Sequence, residues 1–305
     1  MKRKKKSENK MDIGYYVVGF IDLLGQQDRL RSLRSLPDKS DKDQMKQFTN
    51  DLKGTYGVVS GMRNIFELYF NSFSKKKYDL SMFTLEQRKI YKQLTNNPIQ
   101  IKSFSDSIVV SVALRTDKAK LPTGGVWGIF SAAASTALLS LAAGHPIRGG
   151  IDVGLGMEIE RGEIYGPCLS RAYSLESKIA GYPRIVVGKE CLKYLEVTAE
   201  QKQNDIISKI GAASAAECMK LLTIDDDGCA IIDYLGDFFL NAVGKGLEKD
   251  IIEKAFNNVI QFSEKFRKEN NTKIAFKYTL LRSYMEHRLN SIGRDSDRHT
   301  TTSHT

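Results

Sequence analysis

The stretch IKSFSDSIVVSV, residues 101–112, has the pattern of a β-hairpin with a carboxylate at its turn. Ser105 and Asp106 have the short polar side chains that favour tight turns, and apolar residues follow them in a strand pattern. An aspartate among valines and isoleucines is costly to bury unless a cation or a hydrogen-bond network compensates its charge. Asp106 is therefore either a turn residue or a ligand for something positively charged.

Strand and helix patterns alternate on both sides of this hairpin. Strands are predicted at 15–25, in the hairpin at 99–114, in a glycine-broken pair at 145–159 and at 184–188. Helices are predicted at 56–73, 126–144 and 169–181, and 26–50 is polar and loop-rich. This interleaving predicts one α+β or α/β domain over residues 12–240. Two more helical patterns, at 251–269 and 274–289, predict a helical extension over 241–293 that packs on the domain or on a partner.

Both ends of the chain are polar. The formal charge is +10, and residues 2–6 supply five of those charges, so the remainder carries +5. A basic run of this kind can bind nucleic acid or anionic lipid, but a disordered tail over residues 1–11 is favoured. Residues 294–305 have no hydrophobic period and are predicted to form a second disordered tail.

The composition indicates a soluble globular protein. The chain has 305 residues, of which 41% are hydrophobic, and this is enough for a full core. Its four cysteines form no CxxC pair, which favours reduced thiols and a cytoplasmic location. The uncharged segment 121–147 approaches the length of a membrane span, but its alanines, serines and glycines favour a buried helix.

Two carboxylates stand at predicted strand ends, Asp22 in GFIDLLG and Asp106 in SFSDS. Each alone is readily explained as a turn residue. A pair of aspartates on adjacent strand ends suits Mg²⁺ or Mn²⁺, which bind carboxylate oxygens and leave positions open for phosphate. The sequence has no phosphate-binding GxxxxGK[ST] loop and no GxGxxG between a strand and a helix, so P-loop and Rossmann sites are not expected.

The order GFIDLLG, KSFSDS, IRGGIDVGLG, RGEIYGPCLSRAYSLES and RIVVG resembles the class III nucleotidyl cyclase catalytic domain over residues 12–190. It is most similar to the bacterial pyrimidine cyclases of the Pycsar antiphage defence system. The resemblance implies an α+β fold with a ferredoxin-like βαββαβ core. It also implies an enzyme that forms 3′,5′-cyclic UMP, or cyclic CMP, and pyrophosphate from the nucleoside triphosphate. The product would be a second messenger for a separate effector protein.

The same resemblance assigns the phosphate-handling residues. Asp22, Asp106 and the backbone carbonyl of Ile21 would bind two divalent cations, Mn²⁺ or Mg²⁺. Arg148 matches an arginine that contacts the triphosphate, a role that suits the planar donor fork of a guanidinium. Class III cyclases act as head-to-tail dimers, so a homodimer with two composite sites is implied.

Base recognition is assigned in the same way. Lys102 and Glu163 match the pair that reads the base, although a surface charge explains each of them equally well. Tyr56, at the start of a predicted helix, would contact a small pyrimidine, although a packing role is more usual for such a tyrosine.

The chain departs from the purine cyclases in the helix after the YG turn. Ser170 and Ser174 stand where those enzymes have an asparagine and an arginine that stabilise the transition state, and Arg171 or Lys178 could substitute. Alternatives are an adenylyl or guanylyl cyclase, and a nucleotide-binding module without catalysis. A nucleic-acid-binding role rests only on the basic tail.

Overall fold

The computed structural model describes residues 12–26, 35–73, 81, 83–94, 98–115, 123–159, 162–202, 206–243 and 249–301. These residues form one eight-stranded mixed sheet flanked by helices, which confirms the predicted α+β class. The predicted basic tail at 1–11 lies outside the described residues.

The strands are β1 Asp12–Leu23, β2 Gln100–Phe104, β3 Ser107–Arg115, β4 Ile147–Glu158, β5 Ile164–Tyr165, β6 Ile185–Val187, β7 Leu222–Ile224 and β8 Ala230–Ile232. The helices are α1 Lys42–Phe73, α2 Leu85–Leu94, α3 Gly124–Ala142, α4 Pro167–Ser174, α5 Lys189–Ala199, α6 Ile206–Met219, α7 Asp237–Val243, α8 Lys249–Lys268 and α9 Thr272–Thr301. A single π-helical turn, Leu175–Ile179, continues α4.

The sheet has the strand order β2-β3-β1-β4-β6-β8-β7, and β5 pairs with β4. Neighbouring strands are antiparallel from β2 through β3 and β1 to β4, whereas β6 is parallel to β4. One row across these strands holds Phe104, Ser107, Asp22 and Arg148 in register. The next row on this face, two residues along, holds Lys102, Val109, Phe20 and Gly150.

Alternation along β1 gives the sheet two packed faces. Val17 and Ile21 join the main core, which includes buried residues of α1, α3, α8 and α9. Tyr16 and Val18 point to the other face and pack against Cys168 of α4. Asp22 falls on the α4 side of this alternation.

Helix α3 is the centre of the main core. It is long and apolar enough to cross a membrane by length and composition, but 89% of the most apolar window is buried inside the protein. Its glycines allow neighbours to approach closely: a Cβ at Gly125 would lie 2.6 Å from Val112, and one at Gly128 would lie 2.7 Å from Phe70. Since the described chain itself covers α3, the helix is a core helix, which is consistent with a soluble protein.

The C-terminal helices pack on this same core. Ala255 and Val259 of α8 and Leu281 and Met285 of α9 are buried there. The amide of Asn258 donates to the carbonyls at the end of α3, at 2.9 and 3.0 Å. Helix α9 continues to Thr301, into the segment 294–305 that was predicted to form a second tail.

Two further expectations differ from the structure. Residues 147–158 form one continuous strand, because the β4 glycines are packing sites for α4 and not turn residues. A Cβ at Gly156 would lie 2.6 Å from the Cys168 sulfur, and one at Gly150 would lie 2.8 Å from the Glu176 nitrogen. Helix α1 begins at Lys42, within the segment expected to be loop-rich, and the Asp41 carboxylate accepts two backbone hydrogen bonds at that end.

Candidate active site

Asp22 and Asp106 come together at one end of the strands, where β1 ends beside the β2–β3 turn. The predicted turn at Ser105 and Asp106 is confirmed, and Ser105 has a positive φ of 56°. The Leu23 N–H donates to the Asp106 carbonyl at 3.1 Å, and the Ser107 hydroxyl donates to Asp22 Oδ1 at 2.7 Å. We call Asp22, Asp106 and Ser107 the aspartate edge.

Among the described residues, the positive charge near the aspartate edge does not compensate the burial of Asp22. Burial raises the pKa of Asp22 to about 6, and the charges of Asp106 and Glu176 add to this effect. The hydrogen bond from Ser107 and the charge of Arg148 lower that pKa, but they do not outweigh burial. Neither aspartate is ion-paired with a lysine or arginine of the described chain.

Arg148 lies directly opposite Asp22 in the β1–β4 register, yet its ion pair is with Glu176. Its Nε donates to Glu176 Oε1 at 2.7 Å, and its Nη2 donates to the same oxygen. The Glu176 side chain is only 4% exposed, and it lies in the π turn after α4. Glu176 therefore fixes the guanidinium beside the aspartate edge.

Sequence reasoning did not select Glu176. The available signal was its spacing, because the residues four positions before and after it, Ala172 and Ala180, are small and fully buried. An acidic residue on the apolar stripe of a helix has to face a cation or a polar site.

A cavity of about 970 Å³ opens on the same face of the sheet as Asp22. It brings together four of the predicted substrate and catalytic residues, Lys102, Glu163, Ser170 and Arg171. Its other lining residues are mostly apolar: Phe20, Ser103, Phe104, Val109, Ile164, Tyr165, Gly166, Pro167, Leu169 and Tyr173. We call this cavity the Lys102 pocket. Phe104 connects it to the aspartate edge, since this residue shares a cross-strand row with Ser107 and Asp22.

Arg171 is held firmly by its own chain. Its Nε donates to Asp152 Oδ2 at 3.1 Å, and its Nη2 donates to the Val153 carbonyl at 2.8 Å. The guanidinium lies over Gly154, where a Cβ would collide with it. The side chain is still 39% exposed, so its remaining N–H groups face the Lys102 pocket and solvent.

The structure does not bring Tyr56 to this pocket. The residue lies on α1, which packs on the opposite face of the sheet, and it is 72% exposed. Within one chain, the structure thus gives no support to the predicted pyrimidine contact. The Ile21 side chain is fully buried in the main core, so only its backbone can serve as the predicted metal ligand.

The donor set fits a hard divalent cation that arrives with nucleotide. No group of three or more His, Cys, Asp and Glu side chains suited to a metal occurs in the part of the chain that the structure describes. Mg²⁺ is commonly bound through one or two carboxylates together with substrate phosphates, and Asp22 and Asp106 supply that number. A cation would also offset the burial that raises the pKa of Asp22, and the smaller repulsion from Asp106.

The four cysteines are not among the residues that line the Lys102 pocket. All four cysteines are free, and three of them are buried, consistent with the predicted reduced thiols.

No family model, no curated protein and no solved structure matches the chain. The case for a function therefore rests on the geometry of the aspartate edge and the Lys102 pocket.

Proposed function

We propose that this protein is a cytoplasmic, metal-dependent pyrimidine nucleotide cyclase that converts UTP, or else CTP, into the 3′,5′-cyclic monophosphate and pyrophosphate. The observation that carries the proposal is the pair Asp22 and Asp106, which has no ion pair with any described lysine or arginine and lies beside the Lys102 pocket. The strand order β2-β3-β1-β4 supports it, because a ferredoxin-like βαββαβ core has this order. Class III cyclases, which the sequence resembles, share that core.

The aspartate edge has the features that cyclisation requires. The 3′-hydroxyl must lose a proton and attack an anionic phosphorus, and bound divalent ions supply the charge that makes both steps favourable. Asp22 and Asp106 would hold these ions, with the Ser107 hydrogen bond fixing the Asp22 carboxylate. Arg148 keeps Nη1 without an acceptor in the described chain, so this group is available to a phosphate oxygen.

The Lys102 pocket would hold the base. Lys102 supplies donors and Glu163 supplies acceptors, and both line the cavity. Phe20, Phe104 and Tyr173 give it aromatic surface against which a base can stack. Arg171 would contribute positive charge to the transition state from a fixed position, since Asp152 and the Val153 carbonyl hold it.

The homodimer remains part of the proposal. Ile13, Tyr15 and Leu155 are large, exposed apolar residues on paired segments of β1 and β4, where a second subunit could cover them. The release of the cyclic product as a messenger for a separate effector rests on the resemblance alone.

The test is to identify the product formed from a mixture of the four nucleoside triphosphates with Mn²⁺. We expect a cyclic pyrimidine monophosphate from the parent protein and none from Asp106→Asn, which keeps the turn propensity but removes the charge. Asp226→Asn is the matched control, because Asp226 is an exposed aspartate in the β7–β8 turn. A cyclic purine product would replace the pyrimidine assignment, and equal turnover by Asp106→Asn would end the two-metal proposal.

A second candidate is a nucleotide-binding module without catalysis. It is favoured by one observation, the full engagement of Arg171 Nε and Nη2 by its own chain. In that case the parent protein would be stabilised by Mn²⁺ with a nucleoside triphosphate, as expected for a ligand of the native state, and would form no cyclic product.

A further inference from the structure

Three charged residues share one face of the sheet where β1 ends. Asp22 and Arg148 are directly opposite one another in the antiparallel β1–β4 pairing, and such residues point to the same face with Cβ atoms about 5 Å apart. Gly150, two residues along β4, shares that face, and a Cβ there would lie 2.8 Å from the backbone nitrogen of Glu176. The π turn that carries Glu176 therefore lies over the same face as Asp22 and Arg148.

Arg148 lies between two carboxylates and pairs with only one of them. Its Nε and Nη2 both donate to Glu176 Oε1, and the Nε distance is 2.7 Å. No ion pair joins Arg148 to Asp22 among the residues that the structure describes. Opposite charges directly across two antiparallel strands normally attract and stabilise the sheet. The structure thus leaves a favourable contact with Asp22 unmade.

The difference in burial explains which carboxylate holds the guanidinium. The Glu176 side chain is only 4% exposed, whereas Asp22 is partly exposed and accepts a hydrogen bond from Ser107. A buried carboxylate without a cation is costly, so Glu176 has more to gain from Arg148 than Asp22 has. The backbone of the π turn is also fixed, because the Ala180 N–H donates to the Leu175 carbonyl at 2.8 Å.

We propose that Glu176 is a positioning residue that keeps Arg148 away from Asp22 and so leaves the aspartate edge open for a divalent cation. Without Glu176, the guanidinium would turn to Asp22 and take the place of that cation. Glu176 therefore acts on metal binding through Arg148 and is not itself a ligand. The inference rests on the proposed function for the identity of the cation, Mn²⁺ or Mg²⁺.

The first test measures Mn²⁺ binding to the full-length protein by electron paramagnetic resonance of the unbound ion. Nucleotide is left out, because Arg148 is also proposed to contact phosphate. We expect Glu176→Gln to weaken Mn²⁺ binding about tenfold, since the ion must displace a charge-assisted hydrogen bond between Arg148 and Asp22. Glu264→Gln is the matched control, because Glu264 is an exposed glutamate of α8, and its affinity should equal that of the parent.

The substitution Arg148→Met separates positioning from the simple loss of a negative charge. If Glu176 acts through Arg148, then Glu176→Gln should have little effect on Mn²⁺ affinity in the Arg148→Met background. An equal loss of affinity in both backgrounds would overturn the proposal, because Glu176 would then act through its own charge. Unchanged affinity in the Glu176→Gln single variant would overturn it as well.

The second test measures the stability of the metal-free protein by urea denaturation. Asp22→Asn should not lower the urea midpoint of the parent, in which Arg148 pairs with Glu176. The same substitution should lower the midpoint of the Glu176→Gln variant, in which Asp22 has become the partner of Arg148. The proposal is wrong if Asp22→Asn has the same effect in both backgrounds. It is also wrong if Glu176→Gln has no cooperative unfolding transition, because Glu176 would then have a structural role.

The positioning role and the proposed function can fail separately. Mn²⁺ binding that depends on Glu176 only when Arg148 is present, in a protein that cyclises no nucleotide, would support the role and remove the function. Cyclisation by the parent, together with equal Mn²⁺ affinity in Glu176→Gln and Glu264→Gln, would support the function and remove the role.

Discussion

Carboxylates gather at two hairpins of this molecule, and their surroundings are opposite. At the β7–β8 turn, Asp225 and Asp227 both accept hydrogen bonds from the guanidinium of Arg184, whose side chain is 5% exposed. The Tyr182 hydroxyl adds a 2.5 Å hydrogen bond to Asp225. At the aspartate edge, Asp22 accepts a hydrogen bond from a serine hydroxyl and the Asp106 carbonyl accepts one from a backbone amide, and neither carboxylate is ion-paired with a residue that the structure describes.

The pKa values of carboxyl groups in the two regions are shifted in opposite directions from the ordinary value of 3.8. Hydrogen bonds from Arg184 lower the pKa of Asp227 to about 2, whereas burial raises that of Asp22 to about 6. Asp225 and Asp227 have a cation within the chain, whereas we propose that a bound cation serves Asp22 and Asp106. Removing charge should therefore damage function in one region and stability in the other.

The largest expected effect is on activity. Asp22→Asn and Asp106→Asn should each reduce cyclisation more than about a thousandfold, or roughly 4 kcal/mol, because each removes a proposed metal ligand. Stability should not fall, since the substitution also removes repulsion between the two carboxylates. The measurements are turnover with Mn²⁺ and chemical denaturation of the metal-free protein. Turnover near the parent level in both variants would show that Asp22 and Asp106 are not needed for activity, and the proposed difference between the two regions would be wrong.

The next effect is on stability. Arg184→Met leaves Asp225 and Asp227 without their cation, and breaking a buried ion pair in this way costs about 3 kcal/mol. Activity per folded molecule should stay close to that of the parent. Urea denaturation measures the first quantity, and turnover normalised to folded protein measures the second. An Arg184→Met variant as stable as the parent would show that the ion pairs of Arg184 with Asp225 and Asp227 are dispensable.

The third effect concerns pH. The folded-state pKa of Asp22 is about 6, whereas the ordinary value is 3.8. Between these two pH values the native state therefore keeps a proton on Asp22 that the unfolded state has lost. The stabilising contribution is complete below about pH 4 and is lost as pH rises through 6, by about 2 kcal/mol after allowance for solvent contact. In the metal-free protein, Asp22→Asn should flatten this part of the stability curve. An unchanged curve would contradict the assignment.

The smallest effect is at Asp227. Its side chain is 48% exposed, so Asp227→Asn should cost less than about 1 kcal/mol at neutral pH. With the pKa lowered to about 2, its contribution is present above the ordinary value of 3.8 and is lost as pH falls through 2. Thermal denaturation from pH 2 to 5 should show a shallower acid limb in Asp227→Asn than in the parent. The slope has the opposite sign to that of Asp22.

Strand and helix periodicity predicted much of the fold. The hairpin at 100–115, the buried helix α3 and the helices α8 and α9 follow from local patterns that the structure confirms. The β4 strand was predicted as a broken pair because the sequence does not distinguish a glycine packed against a helix from a glycine in a turn. Only the position of α4 over Gly150 and Gly154 distinguishes the two cases.

The candidate site was predictable in part. Asp22 and Asp106 follow from carboxylates at strand ends, and the structure places them at one edge. The engagement of Arg148 by Glu176, and of Arg171 by Asp152, depends on contacts 28 and 19 positions apart in the sequence, respectively. Local periodicity carries no information about such pairs.

The π turn at Leu175–Ile179 has a consequence for how insertions and deletions in the gene would change the protein. A π turn contains an extra residue relative to an α-helical turn, and it can be gained or lost through a single codon inserted or deleted. Glu176 fixes Arg148 beside the aspartate edge from this segment, while the carbonyls of Ile179 and Ala180 accept hydrogen bonds from Arg184. Deleting Ser177 would convert the segment into an α-helical turn and change the position of Glu176 relative to these carbonyls. A single codon therefore sets how this segment connects the two carboxylate regions.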